Sequence, residues 1–100
     1  MKIAPLKKEI IEYGRLCGEK NFTPGVSGNI SARYEDKILI TSSGSANGYL
    51  TEDEFSLIDF EGNVLEGNPK ASSEKMVHIE FYKKRKDINY VIHVLSLIHI

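Results

Sequence analysis

The sequence GNISARYEDKILIT, residues 28–41, decides the fold because it has the pattern of two strands joined by a short polar turn. Ile30–Arg33 and Lys37–Thr41 are the strand-forming parts, and Tyr34–Asp36 lies between them. Strand-like segments separated by such a connection are typical of a β-hairpin. The segment therefore predicts two antiparallel strands.

Helical periodicity precedes and follows this hairpin. Apolar side chains that recur at alternating spacings of three and four predict an amphipathic helix over about residues 3–18, with Gly18 as its stop. They are Ile3, Leu6, Ile10, Tyr13 and Cys17. A second helix is predicted from Ser72 to about Lys86, with Val77 and Phe81 on its apolar face and Met76 beside them.

The remaining segments complete an α+β pattern. Thr51 and Glu54 have the spacing of a capping box, which predicts a short helical turn. Residues 57–60 and 63–65 predict a second hairpin, and residues 91–100 a buried final strand. This order predicts one α+β domain of the three-layer α/β/α type, with a mainly antiparallel central sheet flanked by helices.

Composition restricts the classes of partner. The 100 residues include 13 Lys+Arg and 14 Asp+Glu, so no strong global charge attracts nucleic acid or an anionic membrane. The basic run Lys83–Lys86 is interpreted as a solvated helix end. The single Cys17 cannot form an internal disulfide, and the amino terminus lacks a signal-peptide pattern, which favours the cytoplasm. A small neutral or anionic metabolite fits best.

Three loops contain small polar residues that suit a phosphate. Glycine lets backbone approach a ligand closely, and clustered N–H groups with hydroxyls can replace the water around an anion. The loops are Gly25–Asn29, Ser43-Gly44 and Ser72-Ser73. Each loop alone has an ordinary explanation as a turn or helix cap. Their joint occurrence indicates a phosphate site.

Three further side chains are candidates for chemistry. Glu74 lies in the first turn of the second helix, where a carboxylate either complements the helix dipole or transfers a substrate proton. His78 is one turn later on nearly the same face, where it either supports the site or, as the preferred interpretation, is a packing histidine with a satisfied ring. His93 lies between apolar neighbours, so its ring needs a hydrogen-bond partner or a metal.

Four motifs in this order resemble the class II aldolase/adducin family. They are Gly28–Arg33, Ile40–Gly44, Ser72–Glu74 with His78, and Val91–His93. The resemblance implies a zinc-dependent aldolase that cleaves a ketose phosphate to dihydroxyacetone phosphate and an aldehyde. It implies Glu74 as the acid/base and His93 as a zinc ligand. Its implied phosphate-binding residues are Gly28, Asn29, Ser43, Gly44, Ser72 and Ser73. It also implies a homotetramer.

The chain departs from the family pattern at Leu95, where the resemblance expects a second zinc histidine. The family domain is usually about twice this length, so the chain is expected to correspond to its amino-terminal half, with an incomplete zinc site and little activity alone. Leu95–Ile100 is expected to be foreign or frameshifted sequence. Two alternatives within the family stay open, a sugar-phosphate 4-epimerase and a non-catalytic adducin-like interaction module.

Overall fold

The computed structural model describes residues 3–19, 29–42, 50–72 and 74–93. These residues form two helices and five strands. In chain order they are α1 (Ile3–Glu19), β1 (Asn29–Tyr34), β2 (Lys37–Thr41), β3 (Phe55–Ile58), β4 (Val64–Gly67), α2 (Lys75–Lys84) and β5 (Tyr90–His93).

The predicted first hairpin forms the interior of the sheet. The strand order is β4-β3-β2-β1-β5, and every neighbouring pair is antiparallel. Tyr34 pairs with Lys37, so the connection between β1 and β2 is only Glu35-Asp36. Glu35 adopts a φ of 55°, the left-handed region that a tight two-residue hairpin requires. The hairpin prediction is confirmed, with a turn one residue shorter than expected.

Alternating side chains of the sheet face two separate apolar clusters. Ile30 and Leu39 lie in one cluster with Leu6 and Ile10 of α1, and Ile38 lies in the other. That second cluster also contains Ile40, Ile58, Ile79 and Tyr82. Because successive strand residues point to opposite faces, α1 and α2 cover opposite sides of the sheet. The predicted three-layer α+β fold is confirmed.

The buried face of α2 differs from the prediction. His78, Ile79 and Tyr82 are buried, whereas Val77 and Phe81 of the predicted apolar face are 45% and 50% exposed. The regular helix also begins at Lys75 and ends at Lys84, within the predicted range of residues 72–86. Apolar periodicity therefore indicated the helix but selected the wrong face as its core contact.

Two local predictions also need correction. Thr51 and Glu54 form the contacts of a capping box, with the Thr51 N–H and hydroxyl donating to Glu54 Oε1 at 3.0 and 3.2 Å. The Glu54 N–H donates to the Thr51 carbonyl at 3.1 Å, and β3 starts at Phe55. The segment is a single turn because the next residue already begins a strand, so the predicted short helix is wrong.

The predicted stop of the first helix at Gly18 also needs correction, because α1 continues one residue further, to Glu19.

The carboxyl-terminal prediction is tested only in part: residues 91–93 belong to a strand, but Ile92 is 42% exposed, so the prediction of a buried strand is wrong there. The last described strand, β5, pairs with β1 and forms one edge of the sheet. Residues 94–100 of the predicted strand lie outside the described residues. Within the described ranges, neither helix has the length and apolar character needed to cross a membrane.

Candidate functional site

Two of the predicted site residues lie side by side at one end of the sheet. Asn29 is the first residue of β1 and His93 the last residue of β5, and the two are direct partners in the antiparallel register. β2 ends at the same end of the sheet, because Ser31 of β1 pairs with Ile40. The amino end of β1 and the carboxyl ends of β2 and β5 therefore meet there.

The segment before α2 is attached to this end through β2. The Ser72 N–H donates to the Thr41 carbonyl at 3.1 Å, and Ala71 forms an antiparallel bridge with Ser42. The Thr41 hydroxyl in turn accepts the Ile30 N–H at 3.3 Å, which links the ends of β1 and β2. Ser72 is thus placed at the same end of the sheet as Asn29.

Glu74 lies where this segment becomes helix. Its N–H donates to Ser72 Oγ at 3.2 Å, and its carbonyl accepts the N–H groups of Val77 and His78 at 3.0 and 3.3 Å. Glu74 is therefore the N-cap residue of α2, and its side chain is half-buried. A carboxylate at this position is favoured by the partial positive charge of the helix end.

A buried polar network joins α2 to β1 directly beneath this end of the sheet. His78 is completely buried, and its two ring nitrogens contact Asn29 and Ser31. His78 Nδ1 lies 2.6 Å from Ser31 Oγ, which also lies 2.8 Å from Tyr82 Oη. The preferred interpretation of His78 as a packing histidine with a satisfied ring agrees with these contacts, and its support of the site stays a prediction.

Tyr82 ends the network in a strongly desolvated position. Burial raises the pKa of the Tyr82 hydroxyl to about 12, against smaller lowering effects of the Ser31 hydrogen bond, the Arg33 charge and the Val91 backbone. The phenol therefore stays protonated at neutral pH, so its O–H is available as a donor inside the network.

The loops that complete the predicted phosphate site are outside the described residues. The loop residues concerned are Gly28, Ser43, Gly44 and Ser73, and the side chain of His93 is likewise undescribed. Their chain neighbours Asn29, Ser42 and Ser72 all lie at the same end of the sheet. The described flanks of the three loops therefore meet at one end of the sheet, and the positions and contacts of the loop residues themselves remain predictions.

Ser42 has an unusual environment at this end. It is only 5% exposed, and its Oγ is buried with no hydrogen-bond partner among the described residues. A buried hydroxyl without a partner is rare, because the lost hydration is not replaced. A polar ligand at the adjoining loop would give this hydroxyl a partner.

Two surface clefts lie away from the predicted site. One, of about 300 Å³, is lined by residues that include Leu6, Arg33 and Tyr90, and the other, of about 330 Å³, by residues that include Phe60, Tyr82 and Lys86. Both contain Arg33, at the opposite end of β1 from Asn29. Neither contains a residue of the predicted phosphate site.

Residues 8–98 match the family described as the class II aldolase and adducin N-terminal domain. The chain belongs to this family. The match extends to residue 98 and includes Leu95, and the foreign or frameshifted origin of Leu95–Ile100 stays a prediction. It covers every motif that carried the resemblance, so the family prediction is confirmed.

Named relatives in the family are enzymes of sugar-phosphate chemistry by their descriptions. An L-fuculose phosphate aldolase of Methanocaldococcus jannaschii is 42% identical over 92 residues, which are 92% of this chain and 50% of that protein. A 3-oxo-tetronate 4-phosphate decarboxylase of Haemophilus influenzae is 36% identical over 90% of this chain and 43% of its own length.

A solved structure has the same fold. An L-fuculose 1-phosphate aldolase superposes with a TM-score of 0.83 at 34% identity, over 92% of this chain and 44% of that one. The chain thus spans about half the length of the relatives it matches.

Class II aldolases typically depend on a metal, and the described part of this chain does not contain a complete site for one. No group of three or more His, Cys, Asp or Glu residues lies close enough to hold a metal among the described residues. The ring of His78 is already bound to Asn29 and Ser31. These residues therefore do not fit a metal centre by themselves.

Sequence reasoning missed Ser31 and Tyr82 as supports of the site. Ser31 lies in a strand whose apolar residues alternate, and Tyr82 is four residues after His78. The contact between Ser31 and Tyr82 depends on how α2 packs on β1, which the sequence pattern does not show. The one available signal was the i, i+4 spacing of His78 and Tyr82, which puts two polar aromatic side chains on one helical face.

Proposed function

We propose that the protein takes part in the cleavage of a sugar phosphate by retro-aldol chemistry, with a ketose 1-phosphate of the fuculose type as the substrate class. The observation that supports this most is that the flanks of all three small-residue loops meet at one end of the sheet, next to Glu74. The 42% identity to a fuculose phosphate aldolase directs the choice of substrate class.

The phosphate is proposed to bind at the end of the sheet where the described flanks of those loops meet. Backbone N–H groups, hydroxyls and one side-chain amide would then surround its oxygens as hydrogen-bond donors. The residues proposed for this role are Gly28, Asn29, Ser43, Gly44, Ser72 and Ser73. Ser42 Oγ is buried next to Ser43 in the chain and has no hydrogen-bond partner among the described residues, which is consistent with a polar ligand in this place.

Glu74 is proposed as the acid/base. Retro-aldol cleavage removes a proton from a substrate hydroxyl, breaks the adjacent carbon–carbon bond and leaves an enediolate, which then takes up a proton at carbon. A carboxylate held at the start of α2, next to the proposed phosphate site, can exchange that proton. Its backbone contacts to Ser72 and His78 fix its position relative to the sheet.

The test compares Glu74→Gln with Glu80→Gln in the intact protein. Both glutamates belong to the α2 region, and Glu80 is exposed on the helix. We expect Glu74→Gln to lower kcat by a factor of about 10² to 10⁴, the usual contribution of a general acid/base, with little change in KM. Glu80→Gln should be unchanged. Release of dihydroxyacetone phosphate from fuculose 1-phosphate measures the rate, and equal kcat values for the two variants would reject the assignment.

His93 is proposed to supply one ligand of the family's metal, taken as zinc. Side chains at positions i and i+2 of a strand point to the same face, so residue 95 is the natural position for a second ligand. We expect His93→Ala to weaken zinc binding and Leu95→His to strengthen it, both measured by competition with a chromophoric chelator. Equal zinc affinity in His93→Ala and the unchanged protein would remove His93 from the proposed site.

A homotetramer is proposed as the assembly, and sedimentation of the intact protein measures it.

Product analysis with a ketopentose phosphate separates cleavage from 4-epimerisation, because an epimerase recombines the two fragments whereas an aldolase releases them.

A further inference from the structure

Four buried side chains form one continuous hydrogen-bonded chain from the last turn of α2 to the first residue of β1. It runs from Tyr82 to Ser31, from Ser31 to His78, and from His78 to Asn29. Exposure of these residues is 1%, 0%, 0% and 6% in the same order. Water therefore does not compete for these hydrogen bonds, and their donors and acceptors must match one another.

The order of donors follows from chemistry at the Asn29 end. Complete burial favours the uncharged ring of His78, which has one N–H and one acceptor nitrogen. Asn29 Oδ1 lies against Nε2 and can only accept, so this placement requires the proton on Nε2. In the neutral ring Nδ1 is then an acceptor, and the Ser31 hydroxyl donates to it. The Ser31 oxygen remains as an acceptor for the Tyr82 O–H, which stays protonated.

The observed Asn29 amide has its oxygen Oδ1 against His78 Nε2, and donation from Nε2 stabilises this orientation. Because Oδ1 is held against His78, the planar amide must direct Nδ2, with its two N–H groups, to the opposite side. A half-turn of the amide would place Oδ1 there instead, and the negative end of its dipole would repel an anion. An asparagine at the edge of a phosphate site is useful only in the first orientation.

We infer that His78 is a positioning residue that locks the Asn29 amide with its N–H groups facing the anion. Ser31 holds the histidine in the tautomer that this task requires. The inference rests on the proposed function, since it assigns His78 a part in the same phosphate site. It differs from a packing role, in which any side chain of similar shape that stabilised α2 against β1 would serve equally.

The experiment compares three substitutions in the intact protein, with inorganic phosphate as the probe and calorimetry as the readout. His78→Met keeps an apolar side chain of similar length but removes the donor to Asn29. His78→Gln keeps an amide N–H and a carbonyl in the donor and acceptor order of the neutral ring. Ile79→Ala is the control, because Ile79 is the adjacent, fully buried residue of α2 and is apolar.

We expect His78→Met to raise the Kd for phosphate about tenfold, because one oriented hydrogen bond to an anion is lost. His78→Gln should restore most of the affinity. Ile79→Ala should lower the melting temperature and leave the Kd within about twofold of the unchanged protein, since additivity between unconnected contacts holds within a few tenths of a kcal/mol.

Nitrogen NMR of the imidazole gives an independent readout that needs no ligand, and loss of one set of signals in His78→Gln identifies His78 among the three histidines. The unchanged protein should show His78 neutral, with its proton on Nε2. A proton on Nδ1, or equal phosphate affinity in His78→Met and Ile79→Ala, would overturn the inference and leave the proposed function standing. Failure of the unchanged protein to bind phosphate would overturn the proposed function, and the inference with it.

Discussion

At the scale of single residues, Ser31 and Ser42 are two buried serines in opposite states. Ser31 Oγ is hydrogen-bonded to both His78 and Tyr82, whereas Ser42 Oγ has no partner among the described residues. Replacing a hydroxyl that has partners leaves those partners unsatisfied, which costs about 1–3 kcal/mol. Replacing a buried hydroxyl that has no partner removes the desolvation cost that this hydroxyl adds to the folded state.

Alanine substitution should therefore separate the two serines. We expect Ser31→Ala to lower the free energy of unfolding by about 1–3 kcal/mol. Ser42→Ala, measured by the same denaturant titration, should be neutral or slightly stabilising, within about 0.5 kcal/mol. A larger loss for Ser42→Ala than for Ser31→Ala would contradict the assigned hydrogen bonds.

The sequence predicted individual residues well where the signal is local. Glu74 and His78 are one helical turn apart, and the expected proximity is confirmed by the bond from the His78 N–H to the Glu74 carbonyl at 3.3 Å. The ring partners of His78 on β1 are 47 and 49 positions away in the sequence. No spacing rule reaches that far, because the packing of α2 on the sheet determines those contacts.

At the scale of elements, α2 shows why periodicity alone can select the wrong face. Met76, Val77 and Phe81 form an apolar stripe that is about half exposed, while the buried stripe includes His78. Apolar patterning identifies buried faces only where the core is apolar, and here the core contact contains a hydrogen-bonded imidazole and a phenol.

The carboxyl end of α2 is held by a residue that the sequence did not indicate. Arg33 donates from Nη2 to the carbonyls of Tyr82 and Arg85 at 3.0 and 3.2 Å, and from Nε to the Ile88 carbonyl at 3.1 Å. Its guanidinium also lies 4.9 Å from the centre of the Tyr82 ring. Lys83 and Lys84 lie in the last turn, as predicted, but Arg33 makes the direct bonds to its carbonyls.

The second hairpin depends on two glycines with positive φ but different surroundings. Gly62 (φ 91°) lies in the turn after β3, and a Cβ there would meet Met76 Sδ at 3.3 Å. Gly67 (φ 83°) ends β4, and a Cβ there would lie 2.5 Å from the Phe55 carbonyl oxygen. A flexible exposed methionine can move away, whereas a backbone carbonyl within the sheet cannot.

We therefore expect Gly62→Ala to cost about 1–2 kcal/mol, the strain of an L-residue in this backbone region. Gly67→Ala should cost about 3 kcal/mol or more, because the clash with β3 adds to that strain. Chemical denaturation of the two variants gives the comparison. Equal losses would show that the β3–β4 register can shift to accommodate the methyl group.

At the scale of the whole molecule, the three-layer order could be predicted because it depends on patterns within each segment. Alternation in residues 28–41 gave the hairpin, and helical spacing in residues 3–18 gave α1. The convergence of the loop flanks at one end of the sheet depends on strand order instead. The pairing of β5 with β1 brings His93 beside Asn29 across 64 positions, and only the family resemblance anticipated that neighbourhood.

Alkaline pH is expected to destabilise the whole fold through Tyr82. Its pKa is raised to about 12 in the folded protein by burial, from an ordinary value of 10.0. Between these two values the unfolded tyrosine loses its proton while the folded one retains it, so the unfolded state gains stability from ionisation. The contribution of Tyr82 is therefore fully present below about pH 10 and is lost as the pH rises towards about 12.

Tyr82→Phe isolates this effect, because it removes the ionisable hydroxyl and keeps the ring. A pKa difference of about two units corresponds to about 3 kcal/mol of stability lost over that range. The variant should be less stable than the unchanged protein at neutral pH, by about 1–3 kcal/mol, since Ser31 loses a buried hydrogen-bond partner. Unfolding titrations at successive pH values should then show the two stability curves converging above about pH 10. Curves that stay parallel would mean that Tyr82 ionises as easily in the folded protein as in the unfolded chain.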